Sequence, residues 1–284
     1  MKNRMTTVAI IGAGTMGVGI AQVVALAGFK VQLFDSNAGV AAKALTRIKK
    51  NLKKAVEKGK LEAAMIETVQ SRITALQSFR EVKAGLVIEA VVEDLEVKEK
   101  LFRQIEDVVS PDTLVCTNTS SIPVTKIGAG MRHPDRLVGM HFFNPAHIMK
   151  LVEVVSTEFT APEKFKQAVE LVKKFGKLPV KTKDSPGFIV NRVARHFYVE
   201  SLKVLEDGVA DYQAIDQLME SSGFRMGPFR LMDLIGMDVN FSVTETLYNG
   251  FHQDPKFRPS RIQEQKVELG QLGRKTGKGF YSYE

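Results

Sequence analysis

The sequence predicts an α/β chain in which a doubly wound sheet is followed by an all-α C-terminal domain, and three observations predict it. Strand-like and helical runs alternate through the first two thirds of the 284 residues. A glycine-spaced turn, Gly12-Ala-Gly14-Thr-Met16-Gly17, joins the first strand-like run to the first helical one. Beyond Asp184-Ser-Pro-Gly187 the strand signal stops and only helical patterns remain.

In chain order, the strand-like runs are Thr7–Ile11, Val31–Phe34, Arg72–Leu76, Leu86–Glu89, Thr113–Thr117 and Leu137–Phe142. Each is short, apolar and rich in branched side chains, as a strand buried on both faces requires. Helical patterns fall between most of them, notably Thr15–Ala27, Ala38–Lys58 and Glu93–Val109. That alternation predicts a parallel sheet with helices on both faces. A further strand at Leu151–Val155, a helix at Pro162–Phe175 and a strand near Leu178–Thr182 complete the first domain. The remainder reads as helices at Gly187–Glu206, Asp211–Ser222, Leu231–Gly250 and Arg261–Gly270, with a turn at Met226-Gly-Pro228. The domains are therefore drawn as 1–184 and 185–284, with no internal repeat.

Composition bounds the function. Hydrophobic residues are 44% and charged residues 25%, the balance of a soluble globular chain. No apolar run is long enough to cross a bilayer, and Met1–Met5 lacks the apolar stretch of a signal peptide, so a cytoplasmic protein is expected. The single cysteine, Cys116, leaves no internal disulfide and no thiolate metal site, so no metal is predicted. Net charge is +8, and part of it is concentrated. Seven lysines and Arg47 lie between Lys43 and Lys60, opposed only by Glu57. Leu45, Ile48, Leu52 and Val56 recur there at helical spacing, giving one amphipathic helix with a basic outer face. Such a face is either plain solvated surface or a seat for a phosphate-bearing partner. The stretch has no interleaved aromatics, which argues against nucleic acid.

The glycines have separate physical tasks. Gly12 makes the tight turn, Gly14 lets the backbone approach a diphosphate, and Gly17 lets helix and strand pack closely. The diphosphate then meets the amides at the helix N-terminus. A second strand ending in Asp35 completes a Rossmann-type unit from Val8 to Asp35. A carboxylate at that point accepts hydrogen bonds from ribose hydroxyls and repels a 2′-phosphate, favouring NAD over NADP, with FAD as an alternative. A nicotinamide-dependent oxidoreductase is the predicted class.

Later stretches are too polar for their surroundings. His141 ends an apolar strand, and Glu153 interrupts Leu151-Val-Glu-Val-Val155, where an unpaired carboxylate would be costly. Each is the other's natural partner. A carboxylate on one imidazole nitrogen fixes the tautomer and leaves the other nitrogen to act as a base. Asn191 shares a helix face with Phe188, Ala194, Tyr198 and Leu202. Singly, such residues are more often satisfied structural groups; together, downstream of a dinucleotide fold, they point to chemistry.

With these segments assembled, the chain resembles the 3-hydroxyacyl-CoA dehydrogenase family over essentially its whole length, and within it the short stand-alone 3-hydroxybutyryl-CoA dehydrogenases of bacteria. The resemblance is carried by the glycine turn, Val87-Ile-Glu-Ala-Val-Val-Glu93, Thr117-Asn-Thr-Ser-Ser121, His141-Phe-Phe-Asn-Pro145, Met149-Lys-Leu-Val-Glu153 and Asp184-Ser-Pro-Gly-Phe-Ile-Val-Asn-Arg192. Met226-Gly-Pro228 and Gly273-Arg-Lys-Thr-Gly-Lys-Gly-Phe-Tyr281 add to it. It implies His141 as general base oriented by Glu153, with Ser120 and Asn191 polarising the substrate oxygen. It implies that Met16, Asp35, Glu93, Lys98, Ser120, Asn144 and Lys275 lie along the NAD site beside the glycines. The basic helix gains coenzyme A as its partner through Lys58, with Asn51 where some relatives carry serine. Lys54 is added from its position one helical turn before Lys58. The helical domain resembles the family's dimerisation domain, so a homodimer is expected.

One departure lies beside the catalytic segment, where Ala146-His147 replaces a proline found in many relatives. His147 is a second candidate base, disfavoured because only His141 ends the strand that faces Glu153. Two other readings stand beside a hydroxyacyl-CoA dehydrogenase. A related dehydrogenase of a free hydroxy acid would be indifferent to Lys54 and Lys58. A non-catalytic NAD-binding protein would have no use for Ser120, His141, Glu153 and Asn191 together.

Overall fold

The computed structural model describes residues 7–37 and 39–283; Met1–Met5 and Ala38, the start drawn above for the second helix, lie outside the described residues. The chain divides into two compact units, one ending at Asp184 and the other beginning at Ser185.

The first unit runs β1 (Thr7–Ile11), α1 (Thr15–Leu26), β2 (Lys30–Phe34), α2 (Val40–Glu57), α3 (Met65–Ser71), β3 (Ile73–Ala75), β4 (Leu86–Glu89) and α4 (Leu95–Val108). It continues through β5 (Leu114–Thr117), α5 (Val124–Ala129), β6 (Leu137–Phe142), β7 (Leu151–Ser156), α6 (Pro162–Lys174) and β8 (Leu178–Lys183). One eight-stranded sheet orders these strands β3-β2-β1-β4-β5-β6-β7-β8. The order reverses between β1 and β4, so the crevice for a ligand lies outside the carboxyl ends of those strands. Strands β4, β5 and β6 are buried at every position, because helices cover both faces.

Strands β1 to β6 are parallel, as the alternation predicts, and the two strands that follow make the sheet mixed. β7 pairs antiparallel with β6, and β8 then runs parallel to β7. The cause is the length of the link: residues 143–150 are fewer than the dozen or so that a parallel crossover needs. A correction concerns Leu231–Gly250, drawn as one helix.

The second unit is helical, with α7 (Val190–Glu206), α8 (Tyr212–Ser221), α9 (Pro228–Ile235), α10 (Met237–Gly250) and α11 (Arg261–Glu268). Gly236, at φ +106°, separates α9 from α10, a left-handed conformation that ends one helix and redirects the chain into the next. Its core gathers Tyr198, Leu202, Phe229, Met232 and Phe280, with the Phe229 and Phe280 rings edge to face at 4.7 Å. Buried Asp233 ties the C-terminal segment down by accepting from the Phe280 and Tyr281 amides, both at 2.9 Å, and from the Tyr283 hydroxyl at 3.0 Å. Among the described residues no helix is long and apolar enough to cross a membrane.

Candidate active site

The parallel strands β1, β4, β5 and β6 all run the same way, and Gly12, Gly14, Glu93, Ser120 and Asn144 lie in the segments that follow their carboxyl ends. Gly12 leaves β1 at φ +103°; a Cβ there would stand 2.4 Å from the Ala90 carbonyl oxygen. A Cβ on Gly17 would stand 1.8 Å from the Gly12 carbonyl oxygen, so close helix–strand packing forbids any side chain. At Gly14 a Cβ would meet nothing within 4 Å. The open space lies in front of the N-terminus of α1, where the backbone amides can receive a diphosphate. The loop therefore fits a dinucleotide: two glycines are required by packing and the third borders open space. Asp35 closes the turn by accepting from the Ala13 amide at 2.8 Å and the Asn37 amide at 2.9 Å.

A buried polar cluster supports the next two loops. Glu89, fully buried at the end of β4, accepts from the Val91 amide at 2.8 Å and the Thr117 hydroxyl at 2.6 Å. Lys98, 1% exposed in α4, sets its ammonium 2.5 Å from Glu89 and 3.3 Å from Glu93. Lys98 thus sits behind Glu93, with both carboxylates as its ion-pair partners. Glu93 Oε1 accepts from the Thr119 hydroxyl at 2.6 Å, the Ser120 amide at 2.8 Å and the Ser121 amide at 3.1 Å. Burial works against the Glu93 anion, but the Lys98 ammonium and these donors outweigh it and hold the carboxyl below its usual range. The sequence reading singled out Glu93, Lys98 and Ser120 but missed Glu89 and Thr119. A carboxylate and a hydroxyl inside otherwise apolar strand ends were the available signal.

His141 and Glu153 are direct cross-strand partners in the β6–β7 ladder. His141 Nδ1 stands 2.8 Å from Glu153 Oε2, with the histidine 5% exposed and the glutamate 0%. The antiparallel turn makes this possible, since β7 begins at the edge where β6 ends. A carboxylate at Nδ1 can fix the orientation and tautomer of the imidazole. Asn118, another residue missed, accepts from the Phe142 amide at 2.9 Å and so joins the Ser120 loop to the His141 strand. Asp184 accepts from the Val124 and Thr125 amides at 3.0 and 2.7 Å, anchoring the far end of that loop.

The segment after His141 passes through exposed Asn144, whose bond to Pro145 is cis. A cavity of about 210 Å³ lies here, lined by Thr15, Arg47, Asn51, Asn144 and His147 among others. His147 is half-buried, and burial together with the Lys177 ammonium holds its pKa below the ordinary histidine value. Lys177 itself is fixed by the Ala146 and Met149 carbonyl oxygens, each at 2.7 Å. On α2, Arg47, Asn51, Lys54 and, at its C-cap, Lys58 follow at intervals of four, three and four, forming one stripe that leads into the cavity. Arg47 completes the stripe; the sequence reading had counted it only as charge. Met16 is half-buried in the first turn of α1.

The two remaining candidates belong to the helical unit. Asn191 stands in the first turn of α7. The Lys275 ammonium is held by both carboxylate oxygens of Asp238, at 2.6 and 2.7 Å. Among the described residues no group of three or more histidine, cysteine or acidic side chains could hold a metal ion.

Comparison with known proteins fits this arrangement. Residues 7–185 match the 3-hydroxyacyl-CoA dehydrogenase NAD binding domain, and residues 187–283 match the C-terminal domain of the same family. A 3-hydroxyadipyl-CoA dehydrogenase of Escherichia coli is 47% identical over 100% of this chain, which spans 60% of that relative's length. A probable 3-hydroxybutyryl-CoA dehydrogenase of Bacillus subtilis is 40% identical over 97% of this chain and 96% of the relative. The crystal structure of an (S)-3-hydroxybutyryl-CoA dehydrogenase from Ralstonia eutropha superposes with a TM-score of 0.94 at 38% identity, covering 99% of each chain. With an NAD-binding unit built on a glycine turn and a helical unit of matching family behind it, the chain belongs to the 3-hydroxyacyl-CoA dehydrogenases, NAD-dependent oxidoreductases.

Proposed function

We propose that this protein reversibly interconverts (S)-3-hydroxybutyryl-CoA and acetoacetyl-CoA, with His141 as the general acid–base and Glu153 as its orienting partner. The observation that carries the reading is the buried 2.8 Å contact between His141 and Glu153, cross-strand partners of the β6–β7 ladder. In the oxidative direction His141 Nε2 takes the proton of the 3-hydroxyl while Glu153 stabilises the imidazolium that forms. In the reductive direction the same nitrogen returns the proton to the nascent alkoxide. NAD, when bound, accepts or supplies the hydride at C3. Ser120 and Asn191 donate to the substrate oxygen as negative charge develops on it. Glu93 and Lys98 hold the Ser120 loop and the nicotinamide side of the cofactor site, with Asn144 beside it and Lys275 as a further cofactor contact. Gly12, Gly14, Met16, Gly17 and Asp35 carry the adenosine and diphosphate end.

The stripe Asn51, Lys54 and Lys58 receives the phosphates of coenzyme A, whose charge matches the basic face of α2. The helical unit pairs two copies into a homodimer. A single buried thiol suits a reducing compartment, the cytoplasm.

The direct test is oxidation of NADH on addition of acetoacetyl-CoA, followed at 340 nm. His141→Ala should lower kcat by about 10²–10⁴-fold, and undiminished turnover would reject His141 as the base. Lys54→Ala with Lys58→Ala should raise KM for the CoA ester and weaken its dependence on salt. Indifference to that double change would favour a dehydrogenase of a free hydroxy acid instead.

A further inference from the structure

A buried arginine in the helical unit lacks the counter-charge that burial demands. Arg195 in α7 is 3% exposed, and its guanidinium makes its hydrogen bonds through Nη1 alone. The acceptors are neutral: the Asn240 carbonyl oxygen at 2.9 Å, Asn240 Oδ1 at 3.1 Å and the Thr244 hydroxyl at 3.1 Å. Nε is buried with no partner among the described residues. The guanidinium also lies 5.1 Å from the centre of the Tyr198 ring, which supplies π-electron density and no net charge.

The buried carboxylates of the helical unit, Asp216 and Asp233, are engaged elsewhere. Asp216 accepts from the Phe229 and Arg230 amides and the Tyr281 hydroxyl. Asp233 accepts from the Phe280 and Tyr281 amides and the Tyr283 hydroxyl. The contrast within the chain is direct. Arg136, as deeply buried and likewise with an unpartnered Nε, has the Glu106 counter-charge at 3.5 Å, and buried Lys98 has both Glu89 and Glu93. An isolated buried charge costs several kcal/mol in effective terms, and burial pulls Arg195 down to about 10. Fold stability gives no reason to keep such a group.

Its position gives one. Arg195 stands four residues after Asn191 on α7, so the two share a helix face. Helical side chains lean toward the N-terminus, which is the direction of Asn191. Four residues rise about 6 Å. With C–C bonds of about 1.5 Å, a carboxylate three carbons beyond C3 sits about 4–5 Å from it, and a hydrogen bond at each end closes the rest. We propose that Arg195 binds a terminal carboxylate at C6 of the acyl chain, so that the preferred substrate is a six-carbon 3-hydroxydicarboxylyl-CoA. The inference rests on the reading above that Asn191 contacts the substrate oxygen at C3. Asn240 and Thr244 position the guanidinium through Nη1, and Gln263 Nε2 holds Asn240 Oδ1 at 2.9 Å, so the remaining guanidinium donors have no acceptor among the described residues.

The test compares two CoA esters of equal length, 3-oxoadipyl-CoA and 3-oxohexanoyl-CoA, which differ only in the terminal carboxylate. The wild-type enzyme should favour 3-oxoadipyl-CoA in kcat/KM by at least about tenfold, the worth of a charged hydrogen bond. Arg195→Met should bring the ratio of the two kcat/KM values to near one. Asn240→Asp should do the same by another route, since it keeps both acceptor contacts and gives Arg195 an internal counter-ion. A purely structural arginine would lower both substrates together and leave the ratio intact in both variants, which would overturn the proposal. So would a wild-type enzyme that reduces 3-oxohexanoyl-CoA as well as 3-oxoadipyl-CoA. Acetoacetyl-CoA separates the two failures: if it is reduced and neither six-carbon ester is, this proposal falls and the dehydrogenase reading stands, whereas no reduction of any of the three overturns both.

Discussion

Single side chains in this protein are governed by what surrounds them more than by what they are. Cys116 lies in β5 with no exposed surface, and burial pushes its thiol well above the ordinary cysteine value. The thiolate is the reactive form, so the native enzyme should not react with Ellman's reagent, whereas unfolding should release one thiol per chain. Rapid labelling of the folded protein would contradict that burial. His141 and His147 differ in the same way. The first has a buried carboxylate 2.8 Å from Nδ1, while the second lies in a half-buried loop near an ammonium. Both histidines were visible in the sequence as candidate bases, and the cross-strand register explains why only one has a carboxylate partner. Glu89 was missed, because a carboxylate ending an apolar strand shows no partner until Lys98 meets it at 2.5 Å.

At the scale of elements, the loop between β5 and α5 is held from both ends, by Glu93 at one side and Asp184 at the other. The Glu93 carboxyl is held below its usual range, so its contribution is whole above about pH 4.5 and is lost as pH falls through the lower folded value. Thermal unfolding of wild type against Glu93→Gln should therefore show a gap near neutral pH that closes in acid. With the side chain 35% exposed, the gap should be about 1 kcal/mol. A gap that persists unchanged into acid would show that ionised Glu93 is not what secures the loop. Elements with a strong local signature were legible in the sequence: the glycine turn, the apolar strands β1 and β4, and the basic helix α2 fall where their patterns put them. The break at Gly236 was not, since a lone glycine in a helical pattern does not announce its φ. Helices α3 and α5 were also missed, being seven and six residues long and too short to establish a period.

For the whole molecule, the helical unit carries apolar side chains that a monomer leaves in water. Val209 is 74% exposed and Leu218 66%, and both line a groove of about 570 Å³ beside Phe197 and Val204. A homodimer through this unit predicts a sedimentation-equilibrium mass of twice the 31.5 kDa of one chain. Leu218→Glu should shift the population toward a single chain, and a monomeric wild type would reject the pairing. The sequence by itself determined the α/β class, the dinucleotide turn with Asp35 and the family, because those rest on local spacing and side-chain period. The tertiary structure decided which charges meet. The short link after β6 turned β7 antiparallel and set Glu153 against His141. Burial seated Lys98 between two carboxylates and left Arg195 with none among the described residues, since only packing decides which charges come within ion-pair range.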